Sequence, residues 1–188
     1  MDQINQYLHD FEKTYERTGD LFWKVDDVRL KDLQLPYVGR LFIGPKFDEH
    51  HMKYWVKHHQ IKVVISMGFK ESPWIALHNS SQVAKEPYFD LRALYNYDVE
   101  DEEKPEHVAR MSNILPQIAR QIHHHLTRGE NVMIHCHWGM SRSASGILWF
   151  LTHFHNIPLL EALQHVKKHR KVIMPKTAFL ELCHRPNL

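Results

Sequence analysis

The sequence predicts an α/β fold, in which a central, mostly parallel sheet is flanked by helices on both faces and an added N-terminal helix precedes it. Short apolar runs rich in β-branched residues, such as 61–66 and 132–134, alternate with longer segments of helical periodicity. This alternation is typical of parallel sheets with helical connections. The composition agrees, because 188 residues with 43% hydrophobic content suffice to bury the core of one domain.

The N-terminal segment is predicted to form a helix outside the main domain. Apolar residues recur there at helical spacing, namely Ile4, Leu8, Phe11 and Tyr15. Gly19 then supplies a stop signal. The apolar stripe would cover either the domain's own surface or a second copy of the chain, so a homodimer through this helix is one prediction. We therefore divide the chain into a lead-in segment, 1–30, and a main domain, 31–188.

The first half of the main domain is predicted to contain three strands and one helix. The strands are expected at 38–43, at 61–66 and in a segment ending near Val99. A helix over 47–59 would connect the first two strands and bury one apolar face. The stretch that contains Pro73 and Pro87 is expected to be rich in loops, because proline interrupts helices and central strands.

The second half is predicted to be mainly helical around one buried strand. An apolar pattern from Val108 to Leu126 indicates a helix, and Pro116 within it marks either a kink or the true start. The apolar run 132–134 predicts the next strand. Three further helices are expected at 142–154, 158–169 and 175–183.

The strongest functional signal is the nine-residue segment from His135 to Ser143. Cys136 follows the predicted strand 132–134, and Arg142 comes six positions later at the start of a predicted helix. The backbone N–H groups of residues 137–142 would have no partners within that helix, so they can converge on one anion. The segment therefore predicts a phosphate-binding loop that carries a nucleophile.

Each position in this loop has a predicted role. The loop amides and Arg142 should lower the pKa of the Cys136 thiol from about 8.5 to roughly 3.5–7.5, which gives a thiolate at neutral pH. The planar guanidinium of Arg142 can hold two phosphate oxygens. Gly139 permits a turn with positive φ, and Ser143 can donate a hydrogen bond to the departing sulfur.

The residues that follow the cysteine are all predicted to contribute to phosphate binding. They are His137, Trp138, Gly139, Met140, Ser141 and Arg142. The side chains of His137 and Trp138 should point outward around the mouth of the site, where they would contact the substrate. His135 is expected to support the loop instead of acting as a general base, because an ionised sulfur needs no base.

The pattern His-Cys-x-x-Gly-x-Ser-Arg-Ser resembles the signature of the cysteine-dependent protein tyrosine phosphatases, and specifically their dual-specificity branch. The resemblance extends from about residue 36 to 183. It implies hydrolysis of phosphotyrosine and of phosphoserine or phosphothreonine in proteins through a cysteinyl-phosphate intermediate. It also implies that no metal or organic cofactor is needed.

The resemblance further implies a general acid in a loop after an upstream strand. Alternation of Tyr95, Tyr97 and Val99 predicts such a strand, and the matching acid is Asp101, 35 positions before Cys136. This spacing is a few residues longer than is usual in the family, so Asp98 remains an alternative. The glutamates that follow Asp101 are interpreted as a solvated loop.

Two other functions remain open at this point. An intact loop could bind phosphorylated proteins without turnover. The chain could also act on the 5′ end of RNA as a triphosphatase, although enzymes of that type usually carry Asn-Arg-Thr where this chain has Ser141-Arg142-Ser143.

Composition limits the partners and the compartment. A formal net charge of +2 is too small to predict binding to nucleic acid in general or to a membrane surface. The clustered histidines lack the spacing of a metal site, so no metal is predicted. No apolar run is long enough to span a membrane. With only two cysteines, Cys136 and Cys183, and the first needed as a free thiolate, the sequence predicts a reducing compartment, the cytosol or nucleus.

Overall fold

A five-stranded sheet forms the centre of the domain in the computed structural model, which describes residues 1–4, 6–7, 23–84 and 90–185. The strands are β1 (Asp26–Asp27), β2 (Leu41–Gly44), β3 (Ile61–Met67), β4 (Ala93–Tyr97) and β5 (Asn131–His135). Their order is β1-β2-β5-β3-β4, and only the β1–β2 pair is antiparallel. The predicted α/β class with a mostly parallel sheet is confirmed.

Helices cover both faces of this sheet. They are α1 (Glu49–His59), α2 (Ile75–Ala84), α3 (Pro105–Thr127), α4 (Arg142–Trp149), α5 (Leu159–His169) and α6 (Thr177–Cys183). A 3-10 turn spans Leu30–Leu33, and a π-helical turn, Phe150–Phe154, continues α4. The predicted helix over 142–154 therefore changes its winding after Trp149.

The pleat of β5 explains why both sheet faces must be covered. Val132 and Ile134 point into the core that contains the buried faces of α3, α4, α5 and α6. Met133 points to the opposite face, where it lies in a second core with Met52 and Val56 of α1. Successive strand residues face opposite sides, so an all-apolar strand needs a helical layer on each side.

Helix α3 continues through its internal proline. It begins at Pro105, which occupies the first turn where the missing N–H costs no hydrogen bond. Pro116 lies in the middle, so of the two alternatives, a kink or a start at this residue, the start is wrong. The fully buried side chains of Met111, Leu115 and Ile118 surround this point and hold the helix against the sheet.

One strand and one α-helix were not predicted from the sequence. Strand β1 has only two residues, both aspartate, and shows no apolar alternation. Helix α2 lies in the stretch that we expected to be loop-rich, and the buried side chains of Trp74 and Leu77 anchor its first turn. The observed β2 begins at Leu41, whereas the predicted strand began at residue 38. Val38 lies outside the strand and is 77% exposed.

The N-terminal helix is described only at its beginning. Residues 2–4 and 6–7 are helical, and Ile4 is buried against the domain's own core. Leu8, Phe11, Tyr15 and Gly19 lie outside the described residues. A homodimer through this segment, and the boundary between 1–30 and 31–188, remain predictions.

Candidate active site

The predicted phosphate-binding loop, residues 136–142, lies at the carboxyl end of β5, which pairs with β2 and β3. Cys136 comes directly after the strand, and α4 begins at Arg142. Gly139 turns the loop with φ +64°, and a Cβ there would lie 2.5 Å from the carbonyl oxygen of Gly44. Only glycine fits this close approach, since any side chain would collide with the backbone of β2.

The Cys136 sulfur is buried, and its surroundings stabilise the thiolate. Burial alone would raise the pKa of Cys136, because a low dielectric disfavours charge. The charge of Arg142, the Ser143 hydroxyl and the amides of Ser143 and Met140 outweigh this, so the pKa lies below its usual value. The Ser143 hydroxyl is 3.2 Å from the sulfur, where it can donate to a thiolate.

Arg142 is held in place by the loops that follow β3 and β4. One guanidinium NH group donates to the Val99 carbonyl at 3.1 Å, while Nε is buried and has no hydrogen-bond partner among the described residues. Gly68 leaves the space for this side chain: a Cβ at that position would lie 1.9 Å from the guanidinium. An anionic ligand would suit this position, because a buried charge and a buried N–H without a hydrogen-bond partner are each costly.

His135 occupies a fully buried position behind the nucleophile. Its Nε2 accepts a hydrogen bond from the indole N–H of Trp74 at 3.0 Å and lies 2.8 Å from the Ser66 hydroxyl. Burial lowers the pKa of His135 to about 3, against a smaller opposing effect of the nearby Cys136 backbone. The ring is therefore neutral, and it links the start of the loop to β3 and to the residues before α2.

The two candidate acids occupy different surroundings. Asp101 contacts the phosphate-binding loop, because its Oδ1 accepts a 2.6 Å hydrogen bond from the Ser141 hydroxyl. Asp98 lies on the other side of the buried Val99, and its nearest cation is Arg110 of α3, at 4.0 Å. Asp101 therefore contacts the phosphate-binding loop through Ser141, whereas Asp98 lies near α3, and the assignment of Asp101 as the acid remains a prediction.

Sequence reasoning missed the contribution of Arg170 to this site. Its guanidinium is 1% exposed and donates to the carbonyls of Gly139, at 2.7 Å, and Trp138, at 3.1 Å. It also donates to the Asp26 carboxylate at 2.8 Å. These bonds fix the tip of the loop. No local sequence signal could identify this role, because Asp26 lies 144 positions away.

Aromatic side chains surround the mouth of the loop. His137 and Trp138 are exposed, as we expected for residues that would contact a substrate. Trp138 meets Trp23 edge to face at 6.1 Å between ring centroids. The His137 ring lies 6.5 Å from that of Phe69. Flat aromatic rings therefore flank the predicted phosphate-binding loop.

Two further sequence expectations concern metals and membranes. Among the described residues, no group of three or more His, Cys, Asp or Glu side chains is arranged to hold a metal ion. No helix in the described part of the chain is both long and apolar enough to cross a membrane.

The two cysteines should differ sharply in reactivity. Burial raises the pKa of Cys183, whereas the pKa of Cys136 is lowered. We therefore expect iodoacetate at a pH of about 7 to alkylate Cys136 and to leave Cys183 unmodified, because only thiolates react. Peptide mass spectrometry over a pH series would measure this.

The pH dependence follows from the sign of the shift. The Cys136 reaction should persist below the usual thiol pKa of about 8.5 and slow only when the pH falls through the lowered value. Added phosphate should protect Cys136 by competing for Arg142. Equal modification of both cysteines, or a rate that follows an ordinary thiol, would contradict the electrostatics described above.

This chain matches a known protein family over most of its length. The family model described as "Dual specificity phosphatase, catalytic domain" matches residues 41–183. Mouse dual specificity protein phosphatase 18 is 35% identical over 74 residues, which cover 39% of this chain and 39% of the relative. Human dual specificity protein phosphatase 26 is 42% identical over 60 residues, which cover 31% and 28%. The matched segments thus span well under half of both relatives.

The fold comparison agrees with the family match. The crystal structure of the Yvh1 phosphatase domain from Chaetomium thermophilum superimposes with a TM-score of 0.63 at 20% identity. The superposition covers 85% of this chain and 93% of that domain. At this identity the likeness concerns the fold alone.

Proposed function

Because the chain belongs to the dual specificity phosphatase catalytic-domain family, we propose that it is a protein phosphatase acting on phosphotyrosine and on phosphoserine or phosphothreonine. The observation that carries this proposal is the buried Cys136 thiol, whose pKa is lowered beside the guanidinium of Arg142. A nucleophile and an anion site in one loop are what phosphoryl transfer to cysteine requires.

In the first step, the Cys136 thiolate attacks phosphorus and an S–P bond forms. The bond between phosphorus and the seryl, threonyl or tyrosyl oxygen breaks, and the Asp101 carboxylic acid gives its proton to that oxygen. Arg142 and the loop amides hold the three remaining phosphate oxygens as charge develops on them. Ser141 supports this geometry, because its hydrogen bond to Oδ1 leaves Oδ2 of Asp101 for the leaving group.

In the second step, water hydrolyses the cysteinyl phosphate. The Asp101 carboxylate takes a proton from the water, whose oxygen attacks phosphorus as the S–P bond breaks. The sulfur leaves as a thiolate, and the nearby Ser143 hydroxyl stabilises it by donating a hydrogen bond. Inorganic phosphate and the free enzyme are the products.

We also propose that the protein works in a reducing compartment, the cytosol or nucleus. The mechanism needs Cys136 as a free thiol, and both cysteines of the chain are free in the structure. Oxidising compartments favour the conversion of reactive low-pKa thiols to disulfides or sulfenic acids.

The proposed activity is tested by measuring phosphate release from wild-type protein. We expect hydrolysis of p-nitrophenyl phosphate in excess chelator, and of phosphotyrosine and phosphothreonine peptides, because thiolate chemistry uses no metal. Tight peptide binding without turnover would instead indicate a noncatalytic binding module. Faster phosphate release from 5′-triphosphorylated RNA than from any phosphopeptide would indicate an RNA-end enzyme.

A further inference from the structure

One short segment before and at the start of α6 contacts both loops of the candidate site. Its alternate backbone amides, at Met174, Lys176 and Ala178, all donate hydrogen bonds outward. Met174 N–H donates to the Met140 carbonyl at 2.9 Å, and Lys176 N–H donates to the Ser141 hydroxyl at 3.3 Å. We call this segment, residues 174–178, the clasp. Its first two amides hold the phosphate-binding loop.

The third amide of the clasp binds the loop that carries Asp101. Ala178 N–H donates to the Glu103 carboxylate at 2.9 Å. Ala178 lies in the first turn of α6, where backbone N–H groups lack partners within the helix. A carboxylate is favoured at this position, because it accepts a hydrogen bond and meets the positive end of the helix dipole.

Helix α6 has no side-chain cap from its own N-cap residue. Its N-cap residue is Lys176, which makes no side-chain capping bond. The side chain of lysine has only donors, so it cannot accept hydrogen bonds from the N-terminal amides of a helix as the side chain of serine, threonine, asparagine or aspartate does. Glu103, from a different part of the chain, supplies the acceptor instead. Glu103 is exposed, as we expected for a solvated loop, and this hydrogen bond also docks the loop on α6.

We propose that Glu103 is a positioning residue, which docks the acid loop on the clasp and thereby fixes Asp101 relative to Cys136. Asp101 is tied to the same clasp through Ser141, whose hydroxyl donates to Asp101 and accepts from Lys176 N–H. Two bonds therefore anchor the loop, one at the acid and one two residues later. This inference rests on the proposed phosphatase function, since it concerns the general acid of that reaction.

The test compares leaving groups in Glu103 variants. Tyrosine, with a pKa of about 10, needs protonation as it leaves, whereas the acidic phenol of difluoromethylumbelliferyl phosphate needs it far less. We expect Glu103→Ala to slow hydrolysis of a phosphotyrosine peptide about tenfold, a part of the roughly 10²- to 10⁴-fold that a general acid contributes. The fluorogenic substrate should change by less than about twofold. Glu103→Gln, which keeps an acceptor oxygen, should restore most of the lost rate.

The matched control is Glu102→Ala. Glu102 belongs to the same loop but pairs with Lys104 at 2.7 Å, away from α6. This variant should keep the wild-type rate on both substrates. A Glu103→Ala variant that slows both substrates equally, or that matches Glu102→Ala, would overturn the proposal.

A second measurement does not depend on activity. Hydrogen exchange of the Ala178 amide, which donates to Glu103, should be faster in Glu103→Ala than in wild-type protein, and unchanged in Glu102→Ala. Unchanged exchange in both variants would overturn the docking role. Wild-type protein that hydrolyses neither substrate, while exchange responds as expected, would refute the proposed function and the catalytic role of the docking but retain the contact itself.

Discussion

Replacing Cys136 by serine should abolish phosphatase turnover while leaving oxyanion binding intact. The serine hydroxyl is not ionised at neutral pH, so neither Arg142 nor the loop amides can convert it into a nucleophile comparable to the thiolate. We expect the rate with p-nitrophenyl phosphate to fall by at least about 10⁴-fold, the scale seen when a nucleophile is removed from an otherwise intact site. Tungstate binding, measured by calorimetry, should persist because Arg142 and the amides remain.

Cys183→Ala provides the control for this experiment. Cys183 is buried in the core beneath α4, where its sulfur is 3.5 Å from the Ser145 carbonyl. Its removal should lower the free energy of unfolding without changing the rate per folded molecule. A Cys136→Ser variant with nearly wild-type activity would remove this sulfur from the mechanism, and loss of tungstate binding would show that serine disturbs the loop.

The nucleophile loop could be interpreted from sequence because its parts are contiguous. Cys136, Gly139 and Arg142 lie within seven residues, and a strand-to-helix junction largely dictates where the intervening amides point. The same holds for the apolar strands, whose burial on both faces follows from their composition. Features that depend on residues close together in the chain can therefore be predicted from the sequence.

The supports of the loop could not be recovered, since they come from distant parts of the chain. Arg170 is a buried cation whose partner, Asp26, belongs to a two-residue strand with no apolar pattern. Neither residue carries a local signal that distinguishes it from a solvated charge. Glu103 is a similar case, because its proposed function depends on the amide of Ala178, 75 positions later, in a helix whose N-cap residue is Lys176.

Helix α2 shows a different reason for failure. The nearby Pro73 lies just before the helix, where proline is compatible with a helix start. Composition alone made it resemble a loop. This segment is held by the fully buried Trp74, whose indole N–H donates to His135 at the end of β5. Such a tertiary contact can override a weak local preference.

Replacing Asp101 by asparagine should produce the second-largest loss of activity. Asparagine keeps an oxygen that can accept from Ser141, so the loop should stay in place, but it has no acidic proton for the leaving group. We expect the rate with a phosphotyrosine peptide to fall about 10²- to 10⁴-fold. The loss should be smaller with an acidic phenol, which departs without protonation, and steady-state kinetics on both substrates would measure the difference.

Asp98→Asn is the decisive comparison, because both variants remove one carboxylate from the same loop. The Asp98 carboxylate contacts Arg110 only at 4.0 Å and is 39% exposed, so its loss should change stability by less than about 1 kcal/mol. The rate should stay close to that of the wild type on both substrates. If Asp98→Asn collapses the rate while Asp101→Asn barely lowers it, the acid has been assigned to the wrong residue. The hydrogen bond from Ser141 to Asp101 would then serve only to close the site, since it would hold a carboxylate that transfers no proton.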